Sequence, residues 1–373
     1  MSAGLSIVVP TYGRQDLVKA LLESISEDAG NTDFDVEVII VDDSPASDAA
    51  AIRTIGEAYG AIVYDSPTQN VGGKRNFGLQ QASHDLVLFL DSDVTIRLGT
   101  LDAHVRRLVD SGNDVAGCLG KVEFVGKETY AWRVIEAMQL TLPFSYPDVS
   151  VYVPWGPTAN LSVRRASFLE VGGFDTTMPR YGGEDVDLGL RLADRGLRII
   201  TCSEAVAEHA IETWSTWRQN LHRLWSFGLA DYHLLIRHPS RSFFDFPTGP
   251  MLWTAQLLLL CVLVATNAVP PLTAPCALIA SLVAYPVVYA LLKRHAGTSL
   301  RVHLLGPVIF WIMDAAKAWE ATRRGHLALV FRRLRFLDDL IAQDWHEVAA
   351  SAWALSAAAI AFVGVIMTER ILH

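Results

Sequence analysis

Short apolar runs alternate with stretches of helical period through the first 110 residues. Runs at 5–10, 36–41, 61–64 and 86–90 are rich in aliphatic and β-branched residues, as in strands buried on both faces. The stretches 15–27, 48–59, 73–82 and 98–111 space their apolar residues as helices do. That alternation predicts βαβ units, a parallel sheet with helices on both faces. The segment 114–210 is less regular and rich in Gly and Pro, with a helix predicted at 185–195. Residues 213–237 mix aromatic and basic side chains and are also predicted helical.

The carboxyl-terminal third has a different pattern. No Asp, Glu, Lys or Arg occurs from Phe246 to Leu292, and prolines 270, 271 and 275 break the run. It predicts a hairpin of two membrane spans, 250–269 and 274–292. A second uncharged run predicts a third span at 348–368. Between them, 302–341 is expected to lie in the membrane interface as amphipathic helix, with Arg323, Arg324, Arg332, Arg333 and Arg335 toward headgroups. This topology keeps those arginines on one side, as the positive-inside rule requires. The organisation expected is a catalytic α/β domain at 1–212, an interfacial linker at 213–247 and a helical membrane region at 248–373.

Composition fits this division. The 373 residues are 51% hydrophobic and 19% charged, with mean hydropathy +0.27. Disorder and a simple soluble globule are excluded. The net charge of −9 splits into −12 for residues 1–250 and +3 for 251–373. An acidic amino-terminal part argues against nucleic acid, and the basic part suits anionic membrane lipids. Four cysteines without a CxxC pattern read as reduced thiols. The first residues lack a basic, apolar signal sequence. The expectation is a multi-pass cell-membrane protein with its catalytic domain in the cytoplasm, its oligomeric state left open.

Ligands of parallel sheets bind at the carboxyl ends of the strands. There the sequence puts Pro10-Thr11-Tyr12-Gly13-Arg14, Asp42-Asp43-Ser44 and Asp91-Ser92-Asp93. Two carboxylates one residue apart can meet a hard divalent cation, Mg2+ or Mn2+, which neutralises a diphosphate. A lone D-x-D is more often an ordinary strand-end turn, so its weight comes from company. Asp42 or Asp43 can accept a nucleobase N–H, and Ser44 can equally cap a helix. Gly72 and Gly73 with Lys74 and Arg75 open a helix where phosphate could approach. Gly182-Gly183-Glu184-Asp185 precedes another helix. A carboxylate there suits a general base or simply complements the helix dipole. His209 could join Asp93 as a mixed N/O metal ligand, although a lone His is more often structural. The rings of Trp214, Trp217 and Trp225 fit an interfacial belt better than a sugar channel.

In order and spacing, these motifs resemble the nucleotide-sugar half of family-two glycosyltransferases with the GT-A fold. Gly156-Pro157-Thr158-Ala159-Asn160, Val171-Gly172-Gly173-Phe174-Asp175 and Gly183-Glu184-Asp185 are similar to the acceptor half of that family. The resemblance covers about 5–210. It implies that Pro10, Thr11 and Asp42 or Asp43 hold the nucleoside, with Lys74, Arg75, Asp91 and Ser92 flanking base or phosphate. It implies Mn2+ or Mg2+ on Asp93, with Asp91 and His209 as further ligands. Trp155, Gly156 and Asn160 would shape the sugar pocket, Asp185 would be the catalytic base and Glu184 would contact the acceptor.

The activity implied is metal-dependent, inverting transfer from a nucleotide sugar to a lipid-linked or membrane-proximal glycan. The alternatives are a processive polysaccharide synthase and a silent nucleotide-sugar-binding scaffold. The spacing in Gln219-Asn220-Leu221-His222-Arg223-Leu224-Trp225 departs from the Gln-x-x-Arg-Trp motif of processive synthases.

Overall fold

The computed structural model describes residues 4–178, 182–244, 249–266, 273–293, 299–335 and 351–358. They divide into two compact units. Among the described residues, the first runs to Glu128 and resumes over Thr141–Thr216, and the second comprises Thr129–Leu140, Trp217–Arg335 and 351–358.

In the first unit, β1 (Leu5–Thr11), β2 (Val36–Asp42), β3 (Ile62–Asp65) and β4 (Leu86–Leu90) form four parallel strands in the order β3-β2-β1-β4. Every residue of β1 and β4 is buried, as expected of strands covered on both faces. Helices α1 (Gln15–Ala29), α2 (Ala46–Ala58) and α3 (Val71–Gln81) connect them. The chain moves from β1 outward to β3, then crosses back to β4 on the other side of β1. This reversal leaves a crevice at the carboxyl ends of β1 and β4, next to the predicted motifs.

The remainder of the sheet, unresolved in the residue pattern, is mixed. Its strands are β5 (Val94–Ile96), β6 (Val115–Val125), β7 (Tyr152–Val153), β8 (Asn160–Arg164) and β9 (Arg198–Ala210). β8 runs antiparallel between β4 and β6, β6 and β9 are parallel, and β5 and β7 pair antiparallel with β9. Only Asp91, Ser92 and Asp93 separate β4 from β5. A parallel crossover needs a dozen or more residues, so β5 leaves β4 and joins β9. Helices α4 (Thr100–Val109), α6 (Arg165–Glu170) and α7 (Glu184–Asp194) complete this unit.

The second unit is helical: α5 (Tyr130–Ala137), α8 (Trp217–Arg237), α9 (Gly249–Ala265), α10 (Thr273–Lys293), α11 (Leu300–His303) and α12 (Gly306–Arg323). Strands β10 (Ser242–Phe244) and β11 (Arg332–Leu334) pair antiparallel. Gly228 of α8 lets that helix approach α12 closely at Met313 and Ala316.

The membrane expectations need correction. Among the described residues, no helix is long and apolar enough to cross a membrane. α9, at the first expected span, has 17 residues, fewer than the roughly 20 a bilayer requires. α10, at the second, contains Pro286 and buries Ser281, Tyr285, Tyr289 and Lys293 against protein. The third span is described only over 351–358, which is helical; its remainder lies outside the described residues. The interfacial helix expected through 327–341 is instead a 3-10 turn, Leu327–Phe331, followed by β11, with 336–341 outside the described residues. Arg333 does not reach outward, because its Nη2 donates to Asp314 of α12 at 3.1 and 3.2 Å.

Candidate active site

The first site element is the pair of turns after β1 and β2. Their registers set Thr11 beside Asp42 and Asp42 beside Asp65. Asp42 accepts from both the backbone N–H (3.2 Å) and the hydroxyl of Ser44. Burial still raises its carboxyl above the usual value, ahead of the lowering effect of those bonds. Ser44 Oγ in turn accepts from Gly13 N at 2.6 Å, joining the two turns. Asp43 pairs with Lys74, whose Nζ also donates to the Thr11 carbonyl at 2.8 Å. The other Asp43 oxygen, Oδ2, is buried without a hydrogen-bond partner. Lys74 therefore braces the turns after β1 and β2. Pro10 lies within β1, paired with Val41.

α3 is clamped at its start. Asn70 caps it by accepting from Gly73 N at 2.9 Å, while Asn76 accepts from Phe174 N (2.8 Å) and donates to Phe174 O (2.9 Å). A side chain at Gly72 would put its Cβ 2.9 Å from Phe174 Cβ. The glycine thus serves close packing against the 174 loop. Arg75, expected near base or phosphate, is 3% exposed. Its Nη2 donates to Asp91 at 2.7 Å and its Nη1 to Glu184 at 2.9 Å.

The D-x-D turn is split. Asp91 faces Arg75, whereas Asp93 faces His209 (Oδ1 to Nε2, 3.5 Å) and Arg14. Pairing of Val94 with His209 across β5 and β9 brings the histidine to Asp93. Ser92 between them is buried. The His209 ring stacks on Phe124 with centroids 5.1 Å apart, and Nδ1 lies 3.2 Å from the Ala210 carbonyl. Donation from Nδ1–H leaves the Nε2 lone pair directed at the Asp93 side. Among the described residues, no three His, Cys, Asp or Glu side chains form a preformed metal cluster. The expected third ligand, Asp91, is held by Arg75. The remaining pair, Asp93 Oδ1 and His209 Nε2, fits a Mg2+ or Mn2+ ion that takes its other ligands from water and substrate phosphate, with Arg14 on the other Asp93 oxygen. Arg14 was not anticipated; it sits at φ 60° before α1.

α7 opens at Gly183, whose φ of 96° belongs to the left-handed region that glycine tolerates. Glu184, Asp185 and Asp187 fill its first turn. Asp187 is fully buried on Arg191, which also holds the carbonyls of Val171 and Gly173. Glu184 Oε2 is buried without a partner. Asp185 accepts from Val186 N at 2.8 Å. Burial first, and then the Glu184 charge, lift its carboxyl to about 7, against the pull of Arg75. That is the range in which a general base works at neutral pH.

Trp155 packs edge-on against Tyr146, and Gly156 lies on Leu119. Asn160 is fully buried: its Oδ1 bonds His104 Nε2 at 2.8 Å and its Nδ2 donates to the carbonyls of Lys121 and Ala205. Its polar atoms thus hold β8 to its neighbours.

The "Glycosyl transferase family 2" profile matches residues 6–164, and "Glycosyl transferase family group 2" matches 86–292. The latter covers more than half of the chain. The chain belongs to glycosyl transferase family group 2. Among similar proteins is the pre-mycofactocin glycosyltransferase of Mycobacterium tuberculosis, 27% identical over 266 residues, which are 70% of this chain and 52% of that protein. Another is the GalNAc(5)-diNAcBac-PP-undecaprenol beta-1,3-glucosyltransferase of Campylobacter jejuni, 33% identical over 121 residues, 31% of this chain and 38% of that protein. The chain thus spans about half the length or less of these curated relatives. A solved mannosyltransferase of Pyrobaculum calidifontis, in complex with GDP-Man and Mn2+, matches with a TM-score of 0.55 at 18% identity, over 85% of this chain and 87% of that one. That likeness establishes the fold. The first unit therefore has the GT-A fold.

Proposed function

We propose that this glycosyltransferase moves one sugar, with inversion, from a nucleotide sugar to a lipid-linked or membrane-proximal glycan. The observation that carries this reading is the gathering of Asp43, Asp93 with His209, and Glu184 with Asp185 along one rim of the sheet. Asp43 Oδ2 accepts an N–H of the nucleobase. Asp93 and His209 hold Mn2+ or Mg2+, which when bound neutralises the leaving nucleoside diphosphate. Asp185 removes the acceptor proton as the hydroxyl attacks the anomeric carbon from the face opposite the leaving group. Glu184 Oε2 receives a hydroxyl hydrogen bond and so fixes the acceptor.

Two further features support the acceptor assignment. The Campylobacter relative is named for an undecaprenol-linked substrate. The second unit also exposes apolar side chains on its helices, among them Leu258, Ile279, Val283 and Trp319, and Phe244 on β10. Exposed apolar side chains on these elements suit a lipid boundary, and we assign the enzyme to the membrane surface with its GT-A domain on the cytosolic side.

The deciding experiment measures release of nucleoside diphosphate from a panel of nucleotide sugars with Mn2+ or Mg2+. Wild type should turn over a donor, while Asp93→Ala and Asp185→Asn should not. Equal rates in all three proteins would remove the site assignment.

A further inference from the structure

Arg75 draws together two motifs that are far apart in sequence. Asp91 immediately follows β4, and Glu184 begins α7. The Arg75 guanidinium, almost wholly buried, bonds one oxygen of each, at 2.7 and 2.9 Å. Its Cζ stands 5.5 Å from the Phe174 ring centroid, the same residue that Asn76 clamps through both backbone polar groups. A guanidinium is a rigid planar fork, so two carboxylates on its two Nη atoms have a fixed separation. A lysine ammonium is a point charge on a flexible stem and imposes no such geometry.

We infer that Arg75 is a positioning residue of the transfer reaction. It ties the D-x-D turn on the leaving-group side to Glu184 on the acceptor side, and it does not bind the nucleotide phosphates. The inference rests on the proposed glycosyl transfer and deepens it. One N–H of each Nη is committed to a carboxylate and the residue is 3% exposed, so the fork faces the two carboxylates rather than solvent. The free oxygen of the pair is Glu184 Oε2, buried and without a partner; Arg75 holds the opposite oxygen and thereby aims it. Charge follows geometry here. The charged groups facing Asp185 are Glu184 on its own helix and Arg75 on α3, with Asp91 sharing Arg75.

The test uses the whole 373-residue chain carrying Arg75→Lys, Arg75→Gln, Glu184→Gln and the double variant Arg75→Gln/Glu184→Gln. UDP and GDP, each with Mn2+, serve as binding probes, and kcat and KM are followed against pH. Arg75→Lys should bind the diphosphate within about threefold of wild type yet lose about 100-fold in kcat, since charge remains and the fork is gone. In Arg75→Gln the acid limb of kcat should move to higher pH, because Asp185 loses a nearby cation and holds its proton longer; in Arg75→Lys it should stay. The double variant should be little slower than Glu184→Gln alone, the non-additivity expected of residues acting as one unit. If Arg75→Gln does not fold, the Arg75→Lys kcat and binding comparison decides. A loss of diphosphate affinity that accounts for the whole defect would make Arg75 a phosphate ligand and overturn the inference. Wild-type kcat in Arg75→Lys would do the same while leaving the enzyme reading intact. A wild type inert with every donor would overturn both.

Discussion

The two units each bury an arginine on carboxylates, and the two clusters differ in saturation. In the helical unit, Arg333 bonds both oxygens of Asp314, and Lys317 stands 3.7 Å from the same carboxylate while donating to the Arg332 carbonyl. In the GT-A unit, Arg75 takes one oxygen from each of two carboxylates, leaving Glu184 Oε2 and its own Nε buried and unpartnered. A buried polar atom without a partner costs about 1–3 kcal/mol. A fold tolerates that cost where a ligand later supplies the partner. The saturated cluster is architecture; the unsaturated one is prepared for chemistry.

The sharpest way to break this contrast is Asp185→Asn. Removing a general base lowers the rate by roughly 10²–10⁴-fold, so transfer should nearly vanish in a single-turnover assay. The same substitution should raise the melting temperature at pH 8. Asp185 has a folded-state value lifted to about 7 from 3.8, so the folded protein is penalised once the group ionises. Its stability contribution therefore falls as pH rises through that window. Melting curves at pH 5 and pH 8 check this, and an Asn variant that melts lower at pH 8 would contradict it.

The saturated cluster should respond in the opposite way. Asp314→Ala removes the carboxylate that Arg333 bonds through both oxygens, a loss of about 3–5 kcal/mol. Denaturant unfolding should record that loss. Diphosphate release per folded molecule should stay at the wild-type level, because the bonds of Asp314 to Arg333 and Lys317 lie within the helical unit. An active-site phenotype at full stability would erase the distinction between the clusters.

These contrasts were only partly legible in the sequence. Continuous apolar runs revealed β1 to β4, and strand ends then located Asp43, Asp91 and Asp93; burial on both faces holds for β1 and β4, whereas β3 is an edge strand with no buried residue. β5 to β9 have shorter, mixed runs, and their antiparallel pairing depends on partners far along the chain. His209 reaches Asp93 only through the β5–β9 register. Arg75 meets Asp91 and Glu184 through elements far apart in sequence, which no local motif encodes. In the other unit, the arginine-rich stretch after residue 327 has the composition of an interfacial helix. Pairing of Arg332–Leu334 with Ser242–Phe244 overrides that local tendency.

His104 supplies a smaller, structural counterpart to Asp185. It is fully buried between Asn160 and Ser162, each at 2.8 Å, and burial lowers its value to about 4 from 6.5. A depressed folded-state value means the unfolded chain binds the proton more readily. The contribution is present above pH 6.5 and is lost as pH falls toward 4, by at most about 3 kcal/mol. The slope is thus opposite in sign to that of Asp185. Stability measured from pH 7 to 4 should flatten in His104→Asn relative to wild type; an unchanged slope would assign the acid sensitivity elsewhere.

The mildest effect belongs to Asp43. One oxygen is paired with Lys74 while Oδ2 is buried without a partner, in contrast to Asp314, which has both oxygens on Arg333. Asp43→Asn keeps the shape and one acceptor for Lys74, but it presents an amide N–H where the nucleobase would offer its own. Two donors then face each other. Loss of one charge-assisted hydrogen bond is worth about 1.5 kcal/mol at the low end, close to tenfold in affinity. KM for the donor should rise about tenfold with kcat nearly unchanged, because the base is remote from the anomeric carbon and the bond is equally present in ground and transition states. A fall in kcat at constant KM would instead put Asp43 near the reacting centre and reverse the orientation assigned to the nucleotide.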